Sequence, residues 1–217
     1  MTSKSKKIVV FGATGGVGGH VVRQALDADH RVTAVVRDAA RFDLRHSGLT
    51  VIRVPGLTDP AILVPTLHGS DAVISGVGAR GPKDGPVAST ATRGIIAAMK
   101  IAGARRLVAV SAVPVGPTPE GESFLNRRIL LPLVGRLLRD VYADLTAMEQ
   151  EIGRSGTEWT IVRPPRLVDK PLTGTYRSRI GGNVPRGYLI SRANVAHAML
   201  GALGDPCTIE QAVGIAN

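Results

Sequence analysis

Short runs of β-branched apolar residues alternate with longer stretches of helical periodicity along the whole chain. Because these runs are apolar at nearly every position, they are typical of parallel strands that are covered on both faces. The predicted strands are 7–11, 31–36, 50–54, 72–75, 106–110 and 159–162.

The stretches between the strands carry helix signals. Apolar residues at 17, 21, 22, 25 and 26 share one helical face. Asp59-Pro60 and Ser191 are typical helix starts, and Gly103 is a typical helix end. The predicted helices are 17–28, 59–67, 87–102, 140–152 and 191–203.

Strands that alternate with helices predict an α/β fold, namely a single Rossmann-like, doubly wound parallel sheet with helices on both faces. We found no repeat or linker and therefore expect one domain over 1–217. Two proline- and glycine-rich segments, 114–121 and 163–187, are predicted loops at the carboxyl edge of the sheet, where ligands bind. The tail 207–217 is compatible with one more short strand.

Composition excludes several classes of protein. The single cysteine, Cys207, excludes a disulfide framework, and the five histidines show no metal-ligand spacing, so we expect no metal site. No apolar stretch approaches the roughly 20 residues of a membrane span, and we expect a cytoplasmic protein without an integral membrane segment.

The formal net charge of +10 favours anionic ligands. Only 3% of the residues are aromatic and the arginines are scattered, which argues against nucleic acid as a partner. Arginine side chains suit phosphate, so a phosphorylated small ligand is the better interpretation.

The strongest functional signal is the run Phe-Gly-Ala-Thr-Gly-Gly-Val-Gly at 11–18, which follows a predicted strand and opens a predicted helix. In that context Gly12 permits a tight turn, Gly15 lets the backbone approach a pyrophosphate, and Gly18 lets the helix pack closely on the sheet. The positive end of the helix would then face the phosphates of a dinucleotide.

The end of the second strand bears on which dinucleotide is bound. An NAD site usually places an acidic residue at this point, whereas this chain has Arg37, with Arg41 one helical turn later. Asp38 comes one position late and suits the start of a short helix better. We therefore expect NADP(H), with Arg37 and Arg41 at the 2′-phosphate; for Arg41 a solvated surface charge is the alternative.

The motif Gly-Ala-Thr-Gly-x-x-Gly at 12–18, together with Val-Val-Arg-Asp at 35–38, resembles the atypical short-chain dehydrogenase/reductases. Within these, the chain is similar to the NAD(P)H-binding branch that includes NmrA-like proteins and biliverdin-IXβ reductase, also called flavin reductase. The element Pro-Leu-Thr-Gly-x-Tyr at 171–176 resembles the flavin-reductase side of that branch.

The resemblance implies a set of site residues. The pyrophosphate would be held by Gly12, Thr14, Gly15, Gly16, Val17 and Gly18. The nicotinamide half would be contacted by Gly76, Val77, Gly78, Arg80, Ser111, Ala112, Val113, Pro165 and Leu167. The implied catalytic residues are Ser111 and Arg166, and for Ser111 a satisfied polar residue at a strand end is the alternative.

Three departures from the family pattern limit what carries over. The sequence has Gly56-Leu57 where many relatives have an aspartate near the adenine, and Arg166 stands where the flavin reductase has a histidine. Roughly a dozen extra residues lie between Pro114 and Asp144. Substrate identity therefore does not carry over.

Catalytic machinery of the ordinary short-chain dehydrogenases is missing. Their Tyr-x-x-x-Lys pair supplies a general acid. The three tyrosines, Tyr142, Tyr176 and Tyr188, are followed four positions later by Thr146, Ile180 and Arg192. Two hypotheses stay open: an NADPH-dependent reductase of a flavin, quinone or similar conjugated small molecule, which needs little acid catalysis, and a non-catalytic NADP(H)-sensing regulator of NmrA type.

Segment 123–139 mixes apolar residues with four arginines. A lid over the substrate or a subunit interface, as in a homodimer, is the favoured interpretation; contact with a membrane surface is the alternative.

Overall fold

The computed structural model describes residues 5–79, 81, 84–118 and 138–217. The strands are β1 (Lys7–Phe11), β2 (Arg31–Val36), β3 (Leu49–Arg53), β4 (Ala72–Ser75), β5 (Arg106–Val110), β6 (Glu158–Arg163), β7 (Arg166–Val168), β8 (Arg177–Ile180), β9 (Leu189–Ser191) and β10 (Gln211–Ala216). The helices are α1 (Gly16–Asp27), α2 (Pro60–Leu67), α3 (Val87–Ala102), α4 (Arg139–Gly153) and α5 (Arg192–Ala202).

Eight of the strands form one sheet in the order β3-β2-β1-β4-β5-β6-β10-β8. All neighbouring pairs are parallel except β8, which runs antiparallel to β10. The first six strands follow the order of a doubly wound Rossmann sheet, so the predicted fold class is confirmed. The direction of winding reverses between β1 and β4, and such a reversal opens a crevice at the carboxyl edge.

The strands carry two cores because alternate side chains point to opposite faces. Val10 and Ile74 face the layer formed by α1 and α5. Val9 and Val73 face the layer formed by α2, α3 and α4. Both faces of the central strands are buried, which explains why their sequences are apolar at consecutive positions.

Most predicted elements are confirmed. Strands β1, β2, β4 and β5 and helix α3 have the predicted bounds, α2 differs by one residue at its start, and β3, β6 and the other helices differ by one residue at each end. Asp59 and Ser191 are N-caps whose side chains accept hydrogen bonds from the Ala61 and Asn194 amides. The tail contributes β10.

The prediction of a loop over 163–187 is wrong. This stretch contains β7 and β8, and β7 pairs in parallel with β9 to form a second, two-stranded sheet. All four residues of β8 are exposed, so the strand lacks the apolar alternation by which strands are recognised. A short 3-10 turn, Val113–Val115, overlaps the start of segment 114–121. Residues 119–137, which include most of segment 123–139, lie outside the described residues.

A buried arginine ties β5 to its surroundings. Arg106 donates through Nη1 to the Glu158 carbonyl (2.6 Å) and through Nη2 to Thr160 Oγ1 (2.7 Å) and the Ala202 carbonyl (2.6 Å) at the end of α5. Burial lowers the pKa of this guanidinium, and the charges of Glu158 and Asp205 oppose that shift. The hydrogen bonds satisfy the buried cation and link two strands to a helix.

Helix α3 contains Gly94, which lies against the chain that follows β3. A Cβ at position 94 would stand 2.0 Å from the Leu57 carbonyl oxygen and 3.0 Å from its carbon. Real Cβ atoms do not approach backbone so closely. Gly94 therefore allows residues 55–58 to pack directly on α3.

We expect Gly94→Ala to lower the free energy of unfolding by about 3 kcal/mol, because the added methyl group overpacks a backbone contact. Chemical denaturation measures the change. Gly201→Ala in α5 is the matched control, since no described residue, apart from its chain neighbours and the backbone of its own helix, has an atom within 4 Å of that Cβ position. Alanine is the better helix former, so the control should be about 0.5–1 kcal/mol more stable than the wild type. Equal stability of the two variants would contradict the role of Gly94.

Candidate functional site

A cleft of about 870 Å³ opens at the carboxyl edge of the sheet. Its walls come from the chain that follows each of β1 to β5 and from the first turns of α3 and α4. This is the edge at which doubly wound folds bind ligands, and the volume suits an organic ligand.

The floor of the cleft is formed by three backbone segments in direct contact. Gly12 has φ +75°, and a Cβ there would lie 2.7 Å from the carbonyl carbon of Gly76 at the end of β4. A Cβ on Gly18 would lie 2.2 Å from the Gly12 carbonyl oxygen. Only glycine fits both positions, as the sequence motif predicts. The floor of the cleft therefore lets another group approach the backbone closely.

Helix α1 begins at Gly16, and its N-cap, Gly15, has no side chain that could satisfy the amides of the first turn. Its first turn also contains no acidic residue. The positive end of the helix dipole therefore remains available beside the cleft.

Most of the predicted cofactor residues line the cleft. These are Gly12, Thr14, Gly15, Gly16, Val17, Arg37, Gly76, Val77, Gly78, Ser111 and Leu167. Gly18 lies beneath the loop and serves the packing of α1. Arg80 and the side chain of Arg41 lie outside the described residues.

Besides Gly18, four predicted residues do not line the cleft: Ala112, Val113, Pro165 and Arg166. Val113 is hydrogen-bonded within the protein, since its amide donates to the Pro164 carbonyl (2.9 Å) and its carbonyl accepts from Asn183 Nδ2 (2.9 Å). Arg166 is an exposed residue at the start of β7. The geometry brings Ser111 to the cleft and leaves Arg166 outside it.

The end of β2 presents a cation to the cleft. Arg37 is exposed and lines the wall, and Arg53 Nε donates to the Arg37 carbonyl oxygen (3.3 Å), which brings a second arginine beside it. Asp38 instead accepts from the Ala40 amide (3.1 Å) and caps the 3-10 turn Ala39–Arg41. This arrangement agrees with the interpretation of Asp38 as a helix start. Sequence reasoning missed Arg53, which lies in the neighbouring strand.

Ser111 stands where β5 ends. The residue is 7% exposed, and its amide donates to the Val162 carbonyl (2.8 Å). Its Oγ has no hydrogen-bond partner among the residues that the structure describes. A buried hydroxyl without a partner costs free energy, so this atom is suited to bonding a group that enters the cleft.

The wall formed by α3 and α4 depends on a buried carboxylate that sequence reasoning missed. Asp144 Oδ2 accepts from the Ala88 amide (2.7 Å), and Oδ1 accepts from the Ser89 amide (2.9 Å) and hydroxyl (2.5 Å). A side chain of α4 thereby caps the amino end of α3. The residues that it bonds lie more than fifty positions away, so no local pattern indicates the role.

Tyr142 is the tyrosine of α4 and follows Val141, which lines the cleft, so it is a candidate for a general acid. Burial raises the pKa of its phenol, and Tyr142 is not among the residues that line the cleft. Four positions later Thr146 Oγ1 donates to the Tyr142 carbonyl (2.8 Å). No lysine stands there to activate the phenol as an acid.

The Pro-Leu-Thr-Gly-x-Tyr element at 171–176 forms a turn against α5. The amides of Thr173 and Gly174 donate to Asn194 Oδ1 (3.0 and 3.2 Å), and Asn194 Nδ2 donates to Thr173 Oγ1 (2.9 Å). None of the six residues lines the cleft. The element holds α5 in place.

Within the described ranges, no group of three or more His, Cys, Asp or Glu side chains is arranged to hold a metal ion. No helix in the same part of the chain has the length and apolarity needed to cross a membrane.

Comparison with known proteins shows the family to which this chain belongs. A family described as NAD(P)H-binding matches residues 12–206. An uncharacterized chloroplastic protein of Arabidopsis thaliana is 31% identical over 208 residues, 92% of this chain and 72% of the relative. The (4-alkanoyl-5-oxo-2,5-dihydrofuran-3-yl)methyl phosphate reductase of Streptomyces griseus is 32% identical over 181 residues, 83% of this chain and 55% of the relative.

Among solved structures, a short-chain dehydrogenase/reductase of Veillonella parvula in complex with NADP aligns with a TM-score of 0.81 at 20% identity. The alignment covers 98% of this chain and 94% of that one. At this level of identity the likeness establishes the fold.

We expect Asp144→Ala to lower the free energy of unfolding by about 2–4 kcal/mol, because two buried amides and a hydroxyl lose their acceptor. Thermal or chemical unfolding measures the loss. The control is Asp140, an exposed acidic residue one turn earlier on α4. Asp140→Ala should lower the free energy of unfolding by less than about 1 kcal/mol. A similar cost for both variants would show that the interhelical cap contributes nothing.

Proposed function

This chain belongs to the NAD(P)H-binding family, and we propose that it is a reductase that uses NADPH to reduce a flavin, a quinone or a similar conjugated acceptor. The observation that carries the proposal is the buried, unpartnered Ser111 hydroxyl after β5, in a cleft that also carries Arg37 after β2, three strands away. A cleft with these two groups suits an elongated ligand that has a phosphate near Arg37 and a hydrogen-bonding group near Ser111.

The described residues fit such a cofactor. The pyrophosphate would be held by Thr14 and Gly15 and by the free amino end of α1. The 2′-phosphate would be held by the guanidinium of Arg37. The chain at 76–78 would border the ribose next to the nicotinamide, and Ser111 would hydrogen-bond either the carboxamide or the acceptor.

When it is bound, NADPH supplies the hydride. The chain contributes position and exclusion of water: Val77, Val110, Leu145 and Leu167 line the same cleft and offer apolar surface on which a flat acceptor can stack. A conjugated acceptor takes up its proton from solvent, so the lack of a Tyr-x-x-x-Lys pair is no obstacle. The Streptomyces relative, itself named a reductase, supports this class of reaction.

We expect Arg37→Ala to weaken NADPH binding roughly tenfold or more and NADH binding by less than about twofold, because only NADPH carries the 2′-phosphate. Fluorescence titration measures both affinities. The matched control is Arg31→Ala, at the opposite end of the same strand, which should change neither affinity. Equal losses for NADPH and NADH would contradict the role of Arg37.

We expect Ser111→Ala to lower turnover roughly tenfold or more while the affinity for NADPH changes little, because a bond made to the reacting groups is lost. The assay follows NADPH oxidation at 340 nm with FMN, a soluble quinone and biliverdin in parallel. Wild-type turnover with none of them, together with tight NADPH binding, would contradict the reductase and favour the NADP(H)-sensing regulator. An unchanged rate in the variant would remove Ser111 from the reaction.

A further inference from the structure

Arg192 is a cation at the cleft whose role neither the glycine motif nor the second strand explains. It is the first residue of α5, lines the cleft, and its side chain is 29% exposed. Its Nη1 donates to Asp169 Oδ1 at 2.7 Å, and the Asp169 side chain is 85% exposed. An ion pair with so exposed a partner stabilises little, so the guanidinium can leave it at low cost.

The second, two-stranded sheet brings these two residues together. In its register Val168 pairs with Ser191, and these are the last residues of β7 and β9. The residues that follow the two strands, Asp169 and Arg192, are therefore neighbours. Helix α5, which begins at this point, packs along α1, and Gln24 of α1 donates to the Ala193 carbonyl (2.9 Å). The start of α5 is thereby held against α1.

Gly16 makes room for the arginine. A Cβ at position 16 would lie 2.6 Å from Arg192 Cδ and 2.8 Å from Nε, so the side chain crosses the first residue of α1, and a larger residue there would make the arginine shift from this position. The motif explains glycine at 12, 15 and 18 but not at 16. Glycine at position 16 leaves space for the side chain of Arg192.

The charges of the pair act on His20 of α1. Burial, aided by the charges of Arg23 and Arg192 and opposed by that of Asp169, lowers the pKa of His20. Arg192 reaches over the first turn of α1 from α5. A guanidinium in this place can form paired hydrogen bonds with phosphate oxygens.

We propose that Arg192 binds the pyrophosphate of the dinucleotide and that Asp169 pairs with the arginine before the ligand binds and competes with the ligand for it. The inference rests on the proposed binding of NADPH at this cleft. It assigns the two residues opposite effects on affinity: Arg192 strengthens binding and Asp169 weakens it.

The test measures dissociation constants for NADPH, NADH and 2′-AMP with the wild type, Arg192→Ala, Asp169→Asn and the double variant. Arg192→Ala should weaken NADPH and NADH by the same factor, roughly tenfold, because both carry the pyrophosphate. Binding of 2′-AMP, which has no pyrophosphate, should not change. Asp169→Asn should tighten NADPH roughly two- to threefold, and the double variant should match Arg192→Ala.

The matched control is Arg23→Ala, which removes an exposed cation of α1 that does not line the cleft and should leave all three affinities unchanged. Weaker NADPH binding in Asp169→Asn would overturn the proposal, since a merely structural ion pair predicts losses in both variants. Loss of 2′-AMP binding in Arg192→Ala would overturn it as well.

The two proposals fail in different ways. A wild type that binds no NADPH overturns both. If the wild type binds NADPH but reduces no acceptor, and the Arg192 and Asp169 variants show their opposed effects on affinity, only the proposed reductase activity is overturned. Reduction of an acceptor without any effect of Arg192→Ala on affinity overturns the role of Arg192 alone.

Discussion

The site depends on one steric constraint, the contact of backbone with backbone where β1, α1 and β4 meet. Gly12 lies against Gly76, and Gly18 lies against Gly12, at distances that leave no space for a Cβ. Any side chain at these positions would push α1 away from the sheet. The depth of the cleft, the direction of the amino end of α1 and the place of α5 beside it all follow from this contact.

A second constraint shapes the other wall. Asp144 reaches from α4 to the first turn of α3, and a bidentate ion pair between Arg163 and Glu149 joins β6 to α4. The side chains of Arg163 and Glu149 are both largely buried, so removal of one would leave the charge of the other buried without a partner. These contacts hold α4 against the site although the chain that leads into it lies outside the described residues.

The element at 171–176 shows how a motif typical of a functional family can have a structural role in the chain. Its amides bond Asn194, which lies three residues after Ser191 in the first turn of α5. The turn therefore fixes the helix that carries Arg192 to the cleft. Resemblance in this stretch reflects how α5 is positioned, since none of these six residues lines the cleft.

The sequence by itself determined the features that depend on neighbours along the chain. Apolar runs identified six strands, periodicity and caps identified five helices, and the spacing of Gly12, Gly15 and Gly18 identified the tight turn between β1 and α1, because each signal depends on residues that are close together in the sequence. Only the tertiary structure decided the pairing of β7 with β9, the cap formed by Asp144 and the passage of Arg192 over Gly16. Each of these joins residues that are more than twenty positions apart, and their geometry exists only after the sheet and helices have packed.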